Sequence, residues 1–289
     1  MGSSFQSRFE RCGELMDSSA LITIDAPTIE YHSRTSVSRS MLATFAESPR
    51  LYEAMYVTKT IAPVDESDAL TIGTGTHAVC LKDLIELNKI VVIPDSALTA
   101  NGQRRGKAWD SFVADNPGKT LMLPKQLELC RVLSSKLTEL IGAFVANPRA
   151  KLEQEYHWSM CGLEMRAKLD IVVPTRDGLL VVDLKTAADV SEWGFWKAVR
   201  DRRLWLQDAH YTAAAATEFL EPVTFLFAGV EKSEPYRTRV YSLSSEDRAR
   251  SRVRHGELCE QLSEYLASGN FSEAGEGDIV ELKPLGELR

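Results

Sequence analysis

The sequence contains no Cys-x-x-Cys pair, and its five cysteines, Cys12, Cys80, Cys130, Cys161 and Cys259, are widely spaced and odd in number. A zinc ribbon is thereby excluded, and an iron–sulfur cluster has no recognisable ligand set. Cys80 and Cys130 sit in apolar, helix-like surroundings and are expected as small core residues. No apolar run approaches the roughly 20 residues of a membrane-spanning helix. The first residues form no apolar signal-peptide core, and Gln6 breaks the myristoylation pattern that Met1-Gly2 suggests. The expectation is a cytoplasmic protein with no membrane partner. His-Glu-x-x-His and Gly-x-Ser-x-Gly are both missing, which leaves metalloprotease and serine hydrolase readings without support. There is no internal repeat, low-complexity tract or long linker. Positive charge is also short: the net charge is −7, awkward for a nucleic-acid protein that must neutralise phosphates. Local distribution outweighs the sum, however. Basic residues cluster at Arg104-Arg105-Gly106-Lys107, at Lys197-Ala198-Val199-Arg200-Asp201-Arg202-Arg203, and from Arg248 to Arg254. The last group has acidic neighbours on a helix and reads as a solvated face.

At 289 residues, 44% hydrophobic and 26% charged, the chain has ample length for a proper core. Residues 1–30 carry no strong periodic signal and are expected as a partly mobile N-terminal segment. Residues 31–289 are expected as one α/β domain with an N-terminal helical elaboration. Ser38 begins a short helix with Met41, Leu42, Phe45 and Ala46 apolar, stopped by Pro49. A second helix is expected from about Gly73 to Leu87, and a short strand over 90–93 precedes a polar loop at 95–107. Pro124 opens a long helix to about Ala146. Three strands follow, at 152–158, 163–173 and 179–185, then helices at 191–200 and 203–219. Strands at 223–230 and 238–243 and a helix over 244–267 complete the pattern.

Chemistry concentrates in the second and third of those strands. In Glu164-Met165-Arg166-Ala167-Lys168-Leu169-Asp170 the even positions are polar and share one face. The run Leu179-Leu180-Val181-Val182 is wholly apolar until Asp183 and Lys185 appear, two residues apart and so on one face, roughly 7 Å apart along the strand. Between the strands, Pro174-Thr175-Arg176-Asp177-Gly178 reads as a hairpin turn. An Asp-x-Lys at a strand end is common, and a hairpin often has one wet face. A strand that looks buried on both faces is a different setting, where Asp and Lys are costly unless paired or bound to a metal. Two carboxylates and one lysine at a sheet edge suit a hard, oxygen-loving cation such as Mg²⁺. In the strand before, Glu153, Glu155 and His157 share a face by parity. Gln207 and Tyr211, at i and i+4, share a helix face and could equally satisfy backbone groups at the sheet edge. Gly73-Thr74-Gly75-Thr76-His77 lacks the Gly-Lys-Ser/Thr of a phosphate loop and follows no obvious strand. Helix-start chemistry is expected to explain its glycines, and a lone histidine is more often packed or superficial than a ligand.

Taken together, Asp170, Asp183-Leu184-Lys185 and Gln207-x-x-x-Tyr211 resemble the PD-(D/E)xK nucleases, in particular the RecB-like branch. The chain further resembles RecE (exonuclease VIII) and related phage recombination exonucleases from about Tyr31 to Leu243. That likeness is carried by Tyr31-His32, Val37-Ser38-Arg39-Ser40, Ser48-Pro49, Ile72-Gly73-Thr74-Gly75-Thr76-His77, Glu153 with Trp158, Lys168-Leu169-Asp170, Asp183 to Asp189, and Leu206 to Tyr211. Where the family often has Arg-Pro-Asp, this chain has Lys168-Leu169-Asp170.

The resemblance implies a restriction-endonuclease-like core, a central mixed β-sheet flanked by helices, with the catalytic part at about 150–245. It implies a Mg²⁺-dependent 5′→3′ exonuclease on double-stranded DNA ends, with Mn²⁺ as substitute. Such an enzyme leaves 3′ tails for a RecT-like single-strand annealing partner. By family precedent it is a homotetrameric ring. Asp170, Asp183, the Leu184 carbonyl and His77 would hold the metal, and Lys185 would orient or deprotonate the attacking water. Glu153 matches the family's upstream acidic residue, with Glu155 as its rival. Gln207 and Tyr211 would position DNA or the carboxylates, Arg39 would contact a 5′-phosphate, and Arg200 and Arg203 would line the DNA path.

Overall fold

The computed structural model describes residues 36–62, 68–176, 178–218 and 222–272. Tyr31-His32, the N-terminal segment 1–30 and Asp177 of the hairpin turn lie outside the described residues. The described chain divides into two compact units, one of 36–62, 157–166 and 253–272, the other of the rest.

In the smaller unit, α1 (Arg39–Glu47) starts at Ser38, whose hydroxyl accepts from the Met41 N–H. Pro49 does not merely stop this helix. Ser48 caps a new one, α2 (Pro49–Tyr52), with proline in the first turn, where its missing N–H costs nothing. A π-helical turn, Glu53–Val57, continues it. Phe45, Tyr52, Tyr265 and Phe271 pack ring against ring, and the Val37 backbone pairs with Glu164 and Arg166.

The larger unit holds the chemistry. Helix α3 runs over Asp68–Leu81 and ends at Lys82, whose φ of +54° no helix sustains. Asp83 then caps the short α4 (Leu84–Leu87). The single helix expected from Gly73 to Leu87 is therefore two, and the glycines lie inside α3 rather than at its start. Close packing is the reason: a Cβ on Gly75 would overlap the end of Met122 and come within 2.9 Å of the Cys130 sulfur. Gly73 instead faces the cleft described below. Strands β1 (Ile90–Val92) and β2 (Thr120–Met122) form a small parallel pair, with α5 (Lys107–Ala114) between them. That helix is short and mostly exposed, and its apolar stripe, Trp109, Phe112 and Val113, spans little more than one turn inside a polar stretch. The long α6 spans Pro124–Val145.

The main sheet has the order β3 (Lys151–Met160), β4 (Leu163–Pro174), β5 (Leu179–Ala187), β6 (Val223–Glu231), β7 (Thr238–Tyr241). β4 and β5 are antiparallel, β5 and β6 parallel, and β6 and β7 antiparallel. The parallel step is made by α7 (Glu192–Asp201) and α8 (Leu204–Glu218), the crossover such a pair requires. Ile171, Val173, Val182, Leu184, Ala228 and Val230 form one face, packed with Cys80 and Leu81 of α3 and Leu133, Leu137 and Ile141 of α6. On the opposite face Phe225 and Phe227 meet Tyr211 and Phe195 of the crossover helices. The final α9 (Ser245–Ser268) runs from the larger unit's chain into the smaller one's. The result is a central mixed sheet flanked by helices on both faces, a restriction-endonuclease-like arrangement.

Candidate active site

Pairing between β4 and β5 runs from Pro174↔Leu179 to Ile171↔Val182. Just beyond it, Asp170 of β4 and Asp183 of β5 come together on neighbouring strands. Here the Leu184 N–H is taken by the Asp170 side chain, Oδ2 at 2.7 Å. The same oxygen lies 3.4 Å from Nδ1 of His77, delivered by α3. Asp183 is 1% exposed; its Oδ2 pairs with the Lys185 ammonium, and its Oδ1 accepts from Nε2 of Gln207 on α8 at 2.6 Å. Lys185 also reaches the Leu184 carbonyl at 3.4 Å. Two strands and two helices thus meet at five side chains, His77, Asp170, Asp183, Lys185 and Gln207.

Glu153 enters from β3. Its φ of +52° is a left-handed kink inside a strand, which breaks the period of two and aims the residue independently of its neighbours. Parity therefore misplaced Glu155 and His157 beside it: both are exposed, while Glu153 lines the cleft. Glu153 pairs with Lys168, and Lys168 Nζ also donates to Asp83 at 3.0 Å. Lys168 thus ties β4 to the residue that caps α4.

These side chains open on a cleft of about 580 Å³. His77, Glu153, Asp170, Leu184 and Lys185 line it, with Asp83, Glu86, Lys168, Arg202 and Lys232. Asp183 lies behind Lys185 rather than on the wall. Tyr211 is not on the wall either, and its ring packs edge-on against Phe225. Arg200 turns to Asp201 at 2.7 Å and to the Trp196 ring, Arg203 is not among the lining residues, and Arg39 opens α1 in the other unit. Arg202, from the same basic segment, is the arginine the cleft contains.

The electrostatics are those of an unfinished charge balance. Burial pushes Asp183 up to about 6; Lys185 opposes this and Asp170 adds to it. Burial also acts to raise Asp170, but His77, Lys185 and the Leu184 amide outweigh it and hold the carboxyl below the usual range. In His77 burial acts downward, and Asp170 overturns it, so the imidazole is raised. Burial, then repulsion from Asp170, pushes Glu153 up to about 7, against the pull of Lys168. Lys232 is lowered by burial and by the like charge of Arg202, so two cations share one wall of the cleft.

No group of three or more His, Cys, Asp and Glu forms a ready metal cage among the described residues. The donor set nonetheless fits a cation in kind: hard carboxylate oxygens, a backbone carbonyl and one imidazole, with buried carboxylates that repel each other. The Lys185 ammonium stands beside Asp183 where such a charge would be satisfied.

This architecture, with paired aspartates and a lysine on adjacent strands, defines the PD-(D/E)xK nuclease superfamily. A solved structure from Eubacterium rectale, described as a "putative exonuclease", superposes with a TM-score of 0.59 at 14% identity, covering 92% of this chain and 96% of that one. Two others overlap too little to bear on the fold. SSO0001 has a TM-score of 0.29 at 11% identity over 71% of this chain and 81% of its own. VC1899 from Vibrio cholerae has 0.21 at 13% over 71% and 54%. No curated protein sequence matches. The family model for the PDDEXK-like domain of unknown function (DUF3799) matches residues 38–276, and the chain belongs to that family.

Asp83, Glu86 and Lys232 are cleft residues that the sequence did not point to, whereas Lys168 and Arg202 stood out only as members of a motif and of a basic run. Asp83 carried one local signal, an aspartate before a short apolar run. Its pairing with Lys168 spans 85 positions, a distance no local pattern encodes.

Proposed function

We propose that the protein is a divalent-metal-dependent deoxyribonuclease, a 5′→3′ exonuclease that degrades one strand of duplex DNA from an end. The observation that carries this reading is the junction of Asp170, Asp183 and Lys185 at a cleft with cations on its wall. Mg²⁺, or Mn²⁺ in its place, would be held by Asp170, Asp183 and the Leu184 carbonyl with His77 beside them, and would supply Lewis acidity toward a phosphodiester. Lys185 then places an ammonium where charge develops on the phosphate or its attacking water. Gln207 holds one Asp183 oxygen and leaves the other to Lys185. Arg202 and Lys232 together offer an anion the positive charge that each denies the other. Glu153, poised near neutrality, can hold or release a proton at its carboxyl beside Asp170.

The same reading makes the product a 3′-tailed duplex, used by a RecT-like annealing partner, with a homotetrameric ring as the working form. The test is digestion of 5′-labelled linear duplex against a closed circle, with Mg²⁺, with Mn²⁺ and with chelator. Metal-dependent release of 5′ nucleotides from the linear form alone supports it. Cleavage of the circle makes the protein an endonuclease of the same fold. Inactivity under every metal leaves a DNA-binding protein that has kept the fold.

A further inference from the structure

Helix α7, which follows β5, exposes two tryptophans to water: Trp193 is 68% and Trp196 50% exposed. Large aromatic side chains so placed are ordinarily hidden or engaged with a partner. Their indoles are parallel, with centroids 5.3 Å apart and planes 11° from each other. The Arg200 guanidinium lies 5.2 Å from the centroid of Trp196. Spacings of three and four residues put all three groups on one side of the helix.

The other side is anchored. Phe195 is 2% exposed and stacks on Tyr241 at 4.5 Å. The start of the helix is locked by Ser191, whose hydroxyl accepts from the Gly194 N–H at 3.1 Å and donates to Asp189 at 2.8 Å. Gly194 is required there, because a Cβ would overlap the Asp189 carboxylate. The aromatic pair is therefore held on a fixed scaffold. In a chain of net charge −7, residues 197–203 carry Lys197, Arg200, Arg202 and Arg203 against Asp201 alone. This basic run includes Arg202, on the wall of the cleft.

We propose that Trp193, Trp196 and Arg200 form a base-stacking platform for an unpaired nucleotide strand whose backbone continues along the basic run to the cleft. Stacked indoles and a guanidinium offer flat faces to bases of any identity, and the neighbouring cations attend to the phosphates. Paired B-form DNA keeps its bases stacked inside, so the platform selects a frayed or single-stranded end. This rests on the nucleic-acid reading of the cleft, but its test does not need catalysis.

The experiment measures fluorescence anisotropy of a labelled oligothymidylate and of a blunt duplex with the full chain in EDTA, for wild type, W193A/W196A and W193F/W196F. The alanine pair is expected to weaken oligothymidylate binding by about tenfold or more, with the phenylalanine pair within about threefold of wild type. Blunt-duplex affinity is expected to stay within about twofold in all three. Circular dichroism melting checks that the variants are folded, and the phenylalanine pair retains aromatic packing if the alanine pair does not. Equal loss on both DNAs, unchanged affinity in the alanine pair, or no oligothymidylate binding by wild type would each overturn the proposal and leave this face to a protein partner. Tryptophan-dependent binding without hydrolysis would sustain the platform while removing the nuclease reading. Hydrolysis with tryptophan-independent binding would do the reverse.

Discussion

Two clusters of acid and base lie along the central sheet, one across β4 and β5 and one around the end of β6, and they solve opposite problems. At Glu231 and Asp189, Arg237 makes a two-pronged bridge, with Nε and Nη2 each 2.7 Å from a Glu231 oxygen and Nη2 3.3 Å from Asp189. The Arg237 hydrogen bonds hold Glu231 below the usual carboxylate range, and Ser191's amide and hydroxyl do the same for Asp189. Every charge there has a partner, and the cluster fastens the start of α7. At Asp183 and Asp170 the carboxylates share a few donors in a buried corner, and Asp183 is pushed up to about 6 by burial. The first cluster is complete without a ligand. The second has acid to spare, and that surplus is what a metal cation would neutralise.

The largest expected effect breaks the second cluster. Lys185→Ala or Asp183→Asn should lower hydrolysis of linear duplex with Mg²⁺ by about 10³-fold or more, close to 4 kcal/mol of transition-state stabilisation. Urea unfolding of metal-free Asp183→Asn should stay near wild type, since burial already pushes that carboxyl up to about 6, whereas Lys185→Ala leaves a buried acceptor short and should cost about 1–3 kcal/mol. If stability collapses with activity, the contrast with Arg237 fails.

A second prediction compares two histidines. His77 is raised because Asp170 outweighs its burial, whereas His255 has burial alone and is lowered to about 4. An unfolded histidine titrates near 6.5, so between those values the unfolded chain binds the extra proton and stability falls as pH falls. The loss from His255 is at most ~3 kcal/mol from pH 7 to 4. Chemical denaturation across that range should show a flatter acid limb in His255→Leu, and an unchanged limb would count against a neutral buried imidazole.

Next in size, Gln207→Leu removes the donor to Asp183 and should cost about 1–3 kcal/mol in urea unfolding, the penalty of a buried acceptor left short. Activity should fall with it, because the carboxylate loses its orientation. The smallest effect belongs to Arg237→Ala: a modest fall in Tm with hydrolysis retained. Activity loss matching that of Lys185→Ala would show the two clusters to be one.

Much of this molecule was legible in its residues. The strands around Asp170 and Asp183 announced themselves by a polar alternation and an apolar run, and Ser38, Pro124 and the long apolar stripe placed two helices. Helix α5 was not legible because it buries little, and α3 was read as beginning at Gly73 rather than Asp68 because its glycines resemble a helix start. Glu153 illustrates the limit well. Its acid was visible, but parity put it beside Glu155, and only a left-handed backbone angle separates the two.

By itself the sequence determined the strand periods, the Asp-x-Lys chemistry and the kind of cation it suits, because these depend on neighbours one to four residues away. Tertiary structure alone decided that Lys168 bridges Glu153 and Asp83, that Arg202 rather than Arg200 or Arg203 faces the cleft, and that Tyr211 packs on Phe225. Those outcomes are set by contacts between distant segments and by the free energy of burying charge, neither of which has a period along the chain.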